Sequence, residues 1–180
     1  ANGFSIVPDF STFGFLAVFK TEKTAKKFLE ADIVKEYSQT AISFSHVLMH
    51  TIKSHGLWST QNPFESSVEL DKTKPLSVIT RATINPLLAY QFWKNVPSVS
   101  KSMDHYSELI FSKGIGEFPI LMQATFSLWS NAEAMMKYAY QNPKHAAMVK
   151  KTRQLNWYSE ELFARFHPFY QEGNLIPKVF

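Results

Sequence analysis

KGIGEFPILMQATFSLWSNAEAMMKYAYQNPKHAAMVKKTRQLNWYSEELFARFHPF, residues 113–169, decides the fold. Its pattern gives a turn at Gly114 and Gly116, a strand, two consecutive helices and a closing strand. The first helix, from Asn131 to Tyr140, has Asn131 as its cap and turns Ala132, Met135, Met136 and Ala139 inward at spacings of three, four and seven. Asn142 can cap the second helix, and Pro143 has no N–H to leave unsatisfied in its first turn. In the closing strand, Leu162, Ala164 and Phe166 share one face, and Phe163, Arg165 and His167 share the other.

His145 stands in the first turn of the second helix. Met148, Val149 and Thr152 follow it at helical spacing, so the imidazole lies on the apolar stripe, away from Lys144, Lys150 and Lys151. The partial positive charge of a helix N-terminus and desolvation both disfavour imidazolium, so the ring is expected to be neutral. Neutral imidazole is the form that binds a metal. The same position also suits a packed or capping histidine, and the two readings stay open at this point.

Working towards the N-terminus, SELIFSKGIGEF and the strand after it form a pair joined through Gly114 and Gly116. These two glycines are not a nucleotide fingerprint, because a third is missing and a strand follows. Residues 75–84, PLSVITRATI, form a strand with Arg81 in its middle, either exposed or turned into a cavity to meet an anion. Asn85-Pro86 starts a helix that Pro97 is expected to end. Gly56 to Lys74 is a connection whose Trp58 and Phe64 should pack down. Residues 41–53 alternate loosely as a strand would, with His46 and His50 on one face; helical spacing would align the pair as well, and two histidines are too few donors to define a metal site alone. Thr21 caps one amphipathic helix reaching Tyr37, and FGFLAVF at 13–19 is expected to be a strand.

Laid over one another, FLAVFKTEKTAKKF and TFSLWSNAEAMMKY match in pattern, with Phe19 over Trp129, Ala25 over Met135 and Phe28 over Tyr138. The chain is therefore a repeat, and its copies close at Gly56 and Gly173. From Pro75 the order strand, helix, strand, strand, helix, strand is the ferredoxin-like split arrangement. The expected organisation is a partial first ferredoxin-like repeat over 1–56, a linker over 57–74 and a complete second repeat over 75–180 as the ligand-binding half. Half a repeat is then expected ahead of Ala1, consistent with a fragment or processed product. The fold class is α+β, ferredoxin-like repeats forming a domain of the dimeric α+β barrel type with the first repeat incomplete.

Composition narrows the function. The 180 residues include 16 Phe, 7 Tyr and 4 Trp, enough for an aromatic-lined pocket as well as a core. There is no cysteine, which excludes disulfides, thiolate-bound zinc, iron–sulfur clusters and thiolate-ligated haem. The net charge of +4 is spread over helix faces and accompanies no recognisable nucleic-acid module, so no nucleic-acid partner is expected. No apolar run approaches the roughly 20 residues of a membrane span.

TRATI (80–84), QFWKNVP (91–97), KGIGEFP (113–119), QATFSLW (123–129), KHAAMVKKTR (144–153) and NWYSEELFARF (156–166) occur in an order that resembles the spheroidene monooxygenase family of carotenoid oxygenases. The resemblance runs from about Gly3 to Gly173. It implies a haem protein using dioxygen as co-substrate and an apolar, carotenoid-like substrate, with peripheral membrane contact, a cytoplasmic location and homo-oligomerisation. Carried onto this sequence, it implies His145 as the axial metal ligand and Arg81 as a catalytic residue beside the iron or a partner of a haem propionate. Arg153 and Arg165 are weaker propionate candidates. Two alternatives share this architecture: a non-catalytic haem or small-ligand binding protein, and a haem-dependent dehydratase on a related barrel.

Overall fold

The computed structural model describes residues 6, 7, 9–103, 105–118 and 120–179, with the backbone alone at 98, 99, 101 and 103. In chain order the elements are α1 (Glu22–Leu29), α2 (Asp32–Thr40), β1 (Ser45–Gly56), β2 (Leu76–Ile84), α3 (Ala89–Met103), β3 (Leu109–Phe118), β4 (Met122–Trp129), α4 (Ala132–Gln141), α5 (Pro143–Leu155) and β5 (Tyr158–Gly173). A single 3-10 turn, Pro86–Leu88, leads into α3.

The strands form one antiparallel sheet in the order β1-β5-β2-β4-β3. Its inner four, β5-β2-β4-β3, have the strand order of the ferredoxin-like split unit, with α3, α4 and α5 as the crossovers. β1 adds to the free side of β5 and is the only strand that the N-terminal part contributes among the described residues. The class is α+β, as the alternation of strands and helices led one to expect.

Side chains alternate across β2, so Leu76 and Val78 face one side and Ile79 and Arg81 the other. On the helix side, Leu76, Val78 and Ile52 pack against Trp129, Met135 and Tyr138, and a second cluster gathers Ile84, Phe92, Trp93, Val96 and Trp157. Trp129 and Trp157 are fully buried, so truncating either would cost about 3–5 kcal/mol. On the opposite side, Ile79, Leu162, Ala164 and Phe166 are covered by Phe64 and Trp58 from the connection between β1 and β2. That connection packs down as expected, with the Phe64 ring edge-on to Phe166 at 5.0 Å.

Local start signals are satisfied as the sequence suggests. Thr21 accepts from the Thr24 N–H, Asn131 from Ala134, and Asn142 from both Lys144 and His145. Four expectations about elements are corrected. Residues 13–19 form no strand; they are an arm without a ladder partner, preceded by an ion pair between Asp9 and Lys113 at 2.8 Å and resting on α1 through Phe15 and Phe19 against Phe28, with Phe13 exposed. The helix from Thr21 is two helices, because Ala31 takes an extended conformation and Asp32 starts α2. α3 continues through Pro97 to Met103; the proline lies on the exposed side, where water can meet the carbonyl it leaves unbonded. Gly114 and Gly116 lie within β3, paired with Thr125 and Gln123. The chain instead reverses after Phe118, where Leu121 N–H bonds the Phe118 carbonyl and Ile120 has φ +76°.

Gly56 and Gly173, at the ends of β1 and β5, have φ of +88° and +109°. A Cβ at either would lie about 2 Å from a carbonyl oxygen, of Glu161 or of Phe44. Both must therefore be glycine for the β1–β5 ladder to close at its two ends.

Candidate functional site

His145 is placed by local chemistry. The Asn142 side chain bonds its N–H at 3.1 Å, and Pro143 fixes the first turn, so the ring swings back towards the preceding helix. There Nδ1 lies 3.0 Å from the Ala139 carbonyl, and the ring packs on Tyr138 with centroids 4.7 Å apart. A carbonyl can only accept, so Nδ1 carries the proton and the lone pair is on Nε2. No partner for Nε2 is seen among the described residues. Desolvation is the main influence on the ring and holds its pKa below the usual value, so the imidazole is neutral as expected. A neutral ring with one nitrogen oriented by a carbonyl and the other free is the donor arrangement of a metal-ligating histidine.

Arg81 is almost completely buried, at 1% exposure, on the sheet face opposite the helices. Its Nε and Nη2 donate to Glu117 Oε2 at 3.2 and 3.0 Å, its Nη1 bonds Glu160 Oε1, and its guanidinium lies 5.6 Å from the Trp58 ring centroid. Glu160 also accepts the backbone N–H groups of Ser59 and Thr60 at 2.9 and 2.8 Å. Those two residues have φ of +53° and +71°, a conformation that turns consecutive N–H groups towards one acceptor. These backbone bonds, then the nearby guanidinium, hold the Glu160 carboxyl below the usual carboxylate range.

The structure thus brings Arg81 together with Glu117, Glu160 and Trp58, and not with His145. Val78 and Tyr138 share a cluster on the helix side, whereas Arg81 alternates with Val78 along β2 and points away from it. Arg153 is exposed in the last turn of α5. Arg165 is on the helix side, half-buried, with its guanidinium 5.9 Å from the Phe163 ring centroid and a buried Nε that has no hydrogen-bond partner. His46 and His50 share a face of β1 but have different partners. His50 Nε2 meets Glu22 at 3.0 Å, and His46 Nε2 lies 3.7 Å from Glu172.

Glu117, Glu160 and Trp58 were not identified from the sequence. A buried arginine in a β-branched strand requires carboxylates, and glutamates at strand positions in KGIGEF and YSEEL were the available signal. Above this cluster, Leu16 and Val18 of the arm and Trp58, Gln61 and Pro63 of the connection line an open cleft of about 510 Å³. His145 lines neither this cleft nor a second cavity of about 340 Å³ beside α2.

No family model matches the chain. It is 32% identical over 167 residues to a spheroidene monooxygenase of Cereibacter sphaeroides, covering 92% of this chain and 52% of that one. It is 31% identical over 180 residues to a spheroidene monooxygenase of Rhodobacter capsulatus, covering 98% of this chain and 75% of the relative. The chain therefore spans about half the length of the first relative and three quarters of the second. Among solved structures, a Fusobacterium nucleatum protein aligns with a TM-score of 0.52 at 10% identity, over 87% of this chain and 70% of that one, which shows a shared fold. On identity sustained across nearly its whole length, the chain belongs to the spheroidene monooxygenase family.

Proposed function

We propose that the chain is a monooxygenase that inserts an oxygen atom from dioxygen into a C–H bond of a long apolar, carotenoid-like substrate. The single observation that carries this reading is the family relationship, 31% identity over three quarters of a relative named as a spheroidene monooxygenase. One oxygen atom enters the substrate and the other leaves as water, with electrons supplied by an external reductant.

The proposed cofactor is haem, held by His145. Among the described residues no three His, Asp or Glu side chains converge on one metal position, so an ion bound by His145 would draw its remaining donors from a group such as a porphyrin. Ala139 would fix the tautomer of His145 and Asn142 its backbone, and Nε2 would be the atom that holds the haem iron. When bound, haem would supply the activation of dioxygen. The chain supplies orientation and an apolar surround. The buried core formed by Trp129 and Tyr138 and by Phe92, Trp93 and Trp157 holds α4 and α5, and with them His145, in place. Arg165, on the same side of the sheet with an unpartnered Nε, suits a propionate. Arg81, already engaged with two carboxylates, is proposed as a positioning residue that holds the 58–60 turn. Exposed Arg153 keeps the weaker propionate role.

Isotope labelling tests the reaction. The haem-loaded chain, reduced and supplied with a carotenoid under oxygen-18 gas, should release a product carrying the heavy isotope. A product labelled only from oxygen-18 water, or none at all, would remove the monooxygenase reading. Membrane contact and a homo-oligomer remain part of the proposal; no described helix is long and apolar enough to cross a membrane.

A further inference from the structure

Along β2, Leu76 and Val78 belong to one core cluster of the helix side and Ile84 to the other, and Thr80 between them is exposed. The sheet register sets Thr80 between Phe163 of β5 and Thr125 of β4, and sets Phe163 beside His55 of β1. Cross-strand neighbours share a face, so these four residues form a row across the sheet. His55 and Thr80 are exposed and Phe163 and Thr125 half-buried, so the helices leave the row open. At its β1 end two cations stand opposite each other: Lys53 pairs in register with Arg165, on the face that carries Phe163. Like charges placed directly opposite destabilise an antiparallel pair, and a carboxylate between them would relieve the repulsion. Among the described residues neither Lys53 nor Arg165 has an ion pair or a hydrogen bond, and Glu161, further along the same face of β5, pairs with neither.

The atoms that a guest would meet are accessible. Arg165 Nε is enclosed, but its two terminal nitrogens are neither enclosed nor hydrogen-bonded, and Lys53 is exposed. The guanidinium lies 5.9 Å from the Phe163 ring centroid, and the His55 ring lies 5.4 Å from the same ring, so three basic side chains gather about one aromatic face. A guanidinium fork matches the two oxygens of a carboxylate, an ammonium adds a point charge, and the aromatic ring accepts a flat apolar body beside them. We propose that Lys53 and Arg165, with His55 beside them, form an anion site that binds a carboxylate whose apolar body lies over Phe163 towards Thr80. That carboxylate is either a haem propionate, which rests on the haem reading above, or the acid group of a free ligand. On this account the repulsion between Lys53 and Arg165 is a cost to the empty fold that the bound anion offsets.

Benzoate and its neutral isostere benzamide test the site on the intact chain, read by nitrogen-15 NMR of the arginine side chains. Benzoate should shift the Arg165 resonances saturably and bind about tenfold more tightly than benzamide, the worth of one charge-assisted hydrogen bond. Lys53→Met should weaken benzoate about tenfold and, in the ligand-free chain, raise the melting point because the repulsion is gone. Haemin and its dimethyl ester separate the two sources. A propionate guest makes haemin bind about tenfold more tightly than the ester in wild type and equally in Lys53→Met. A free acid leaves haemin and ester equal while the benzoate preference stands. That preference should also survive in His145→Ala, so failure of the iron-ligand reading would leave it intact. Equal binding of benzoate and benzamide, shifts confined to other arginines, or unchanged benzoate affinity in Lys53→Met would each overturn the proposal.

Discussion

Glu160→Gln preserves the shape of a side chain in the Arg81 cluster and removes its charge. Arg81 is 1% exposed and divides its donors between Glu117 and Glu160, so the variant leaves a buried cation with one carboxylate in place of two. Breaking a buried pair outright costs about 3–5 kcal/mol. Glu117 survives, and the amide oxygen can still accept from Ser59 or Thr60, so the expected loss is about 2 kcal/mol, or a melting point lower by about 4–8 °C for a chain of this size. Urea unfolding followed by circular dichroism at neutral pH measures it. Arg81→Met removes the cation itself, so the double variant should lose less than the two single losses added together, with a coupling of about 1–2 kcal/mol. Acid adds a second readout. The Glu160 carboxyl is held below its usual 4.5, so its contribution is complete above that pH and is lost as pH falls through the lowered value. The variant should flatten that limb of the stability profile. Single-variant losses that add within about 0.5 kcal/mol would refute the cluster as a coupled unit.

Gly56→Ala and Gly173→Ala should each destabilise the fold by about 2–4 kcal/mol, because the new Cβ would strike a carbonyl oxygen at a backbone angle that L residues rarely adopt; a matched Gly116→Ala, where the nearest side-chain atom is 3.6 Å from the added carbon, should cost much less in the same denaturant titration. His46 and His145 both have ring pKa values below 6.5 through burial, so the unfolded chain takes up protons first. Stability should be complete above pH 6.5 and decline below it as the pH approaches the folded values, and His46→Phe should remove part of that decline.

What could be read from the sequence was local. Asn131, Asn142 and Thr21 announced helix starts because a cap needs only its own next few residues, and the stripe through His145, Met148 and Thr152 turned the imidazole inward for the same reason. Residues 13–19 have strand composition but no ladder partner, and pairing is settled by distant chain. Gly114 and Gly116 looked like a turn because glycine serves turns and strands alike; the reversal was two residues further on. The partners of Arg81 are 36 and 79 residues away, and only the sheet register brings them to it. The inward face and neutral state of His145 followed from helix geometry, while its bond to the Ala139 carbonyl and its separation from Arg81 came from contacts that no local pattern reveals.

The proposal for His145 is tested most directly by the absorption spectrum of the chain reconstituted with haemin. Wild type should show an intense Soret band, His145→Ala should lose or shift it with helix content unchanged, and His145→Gly should recover it when free imidazole is added. An identical spectrum in wild type and His145→Ala would contradict the assignment of this imidazole as the iron ligand.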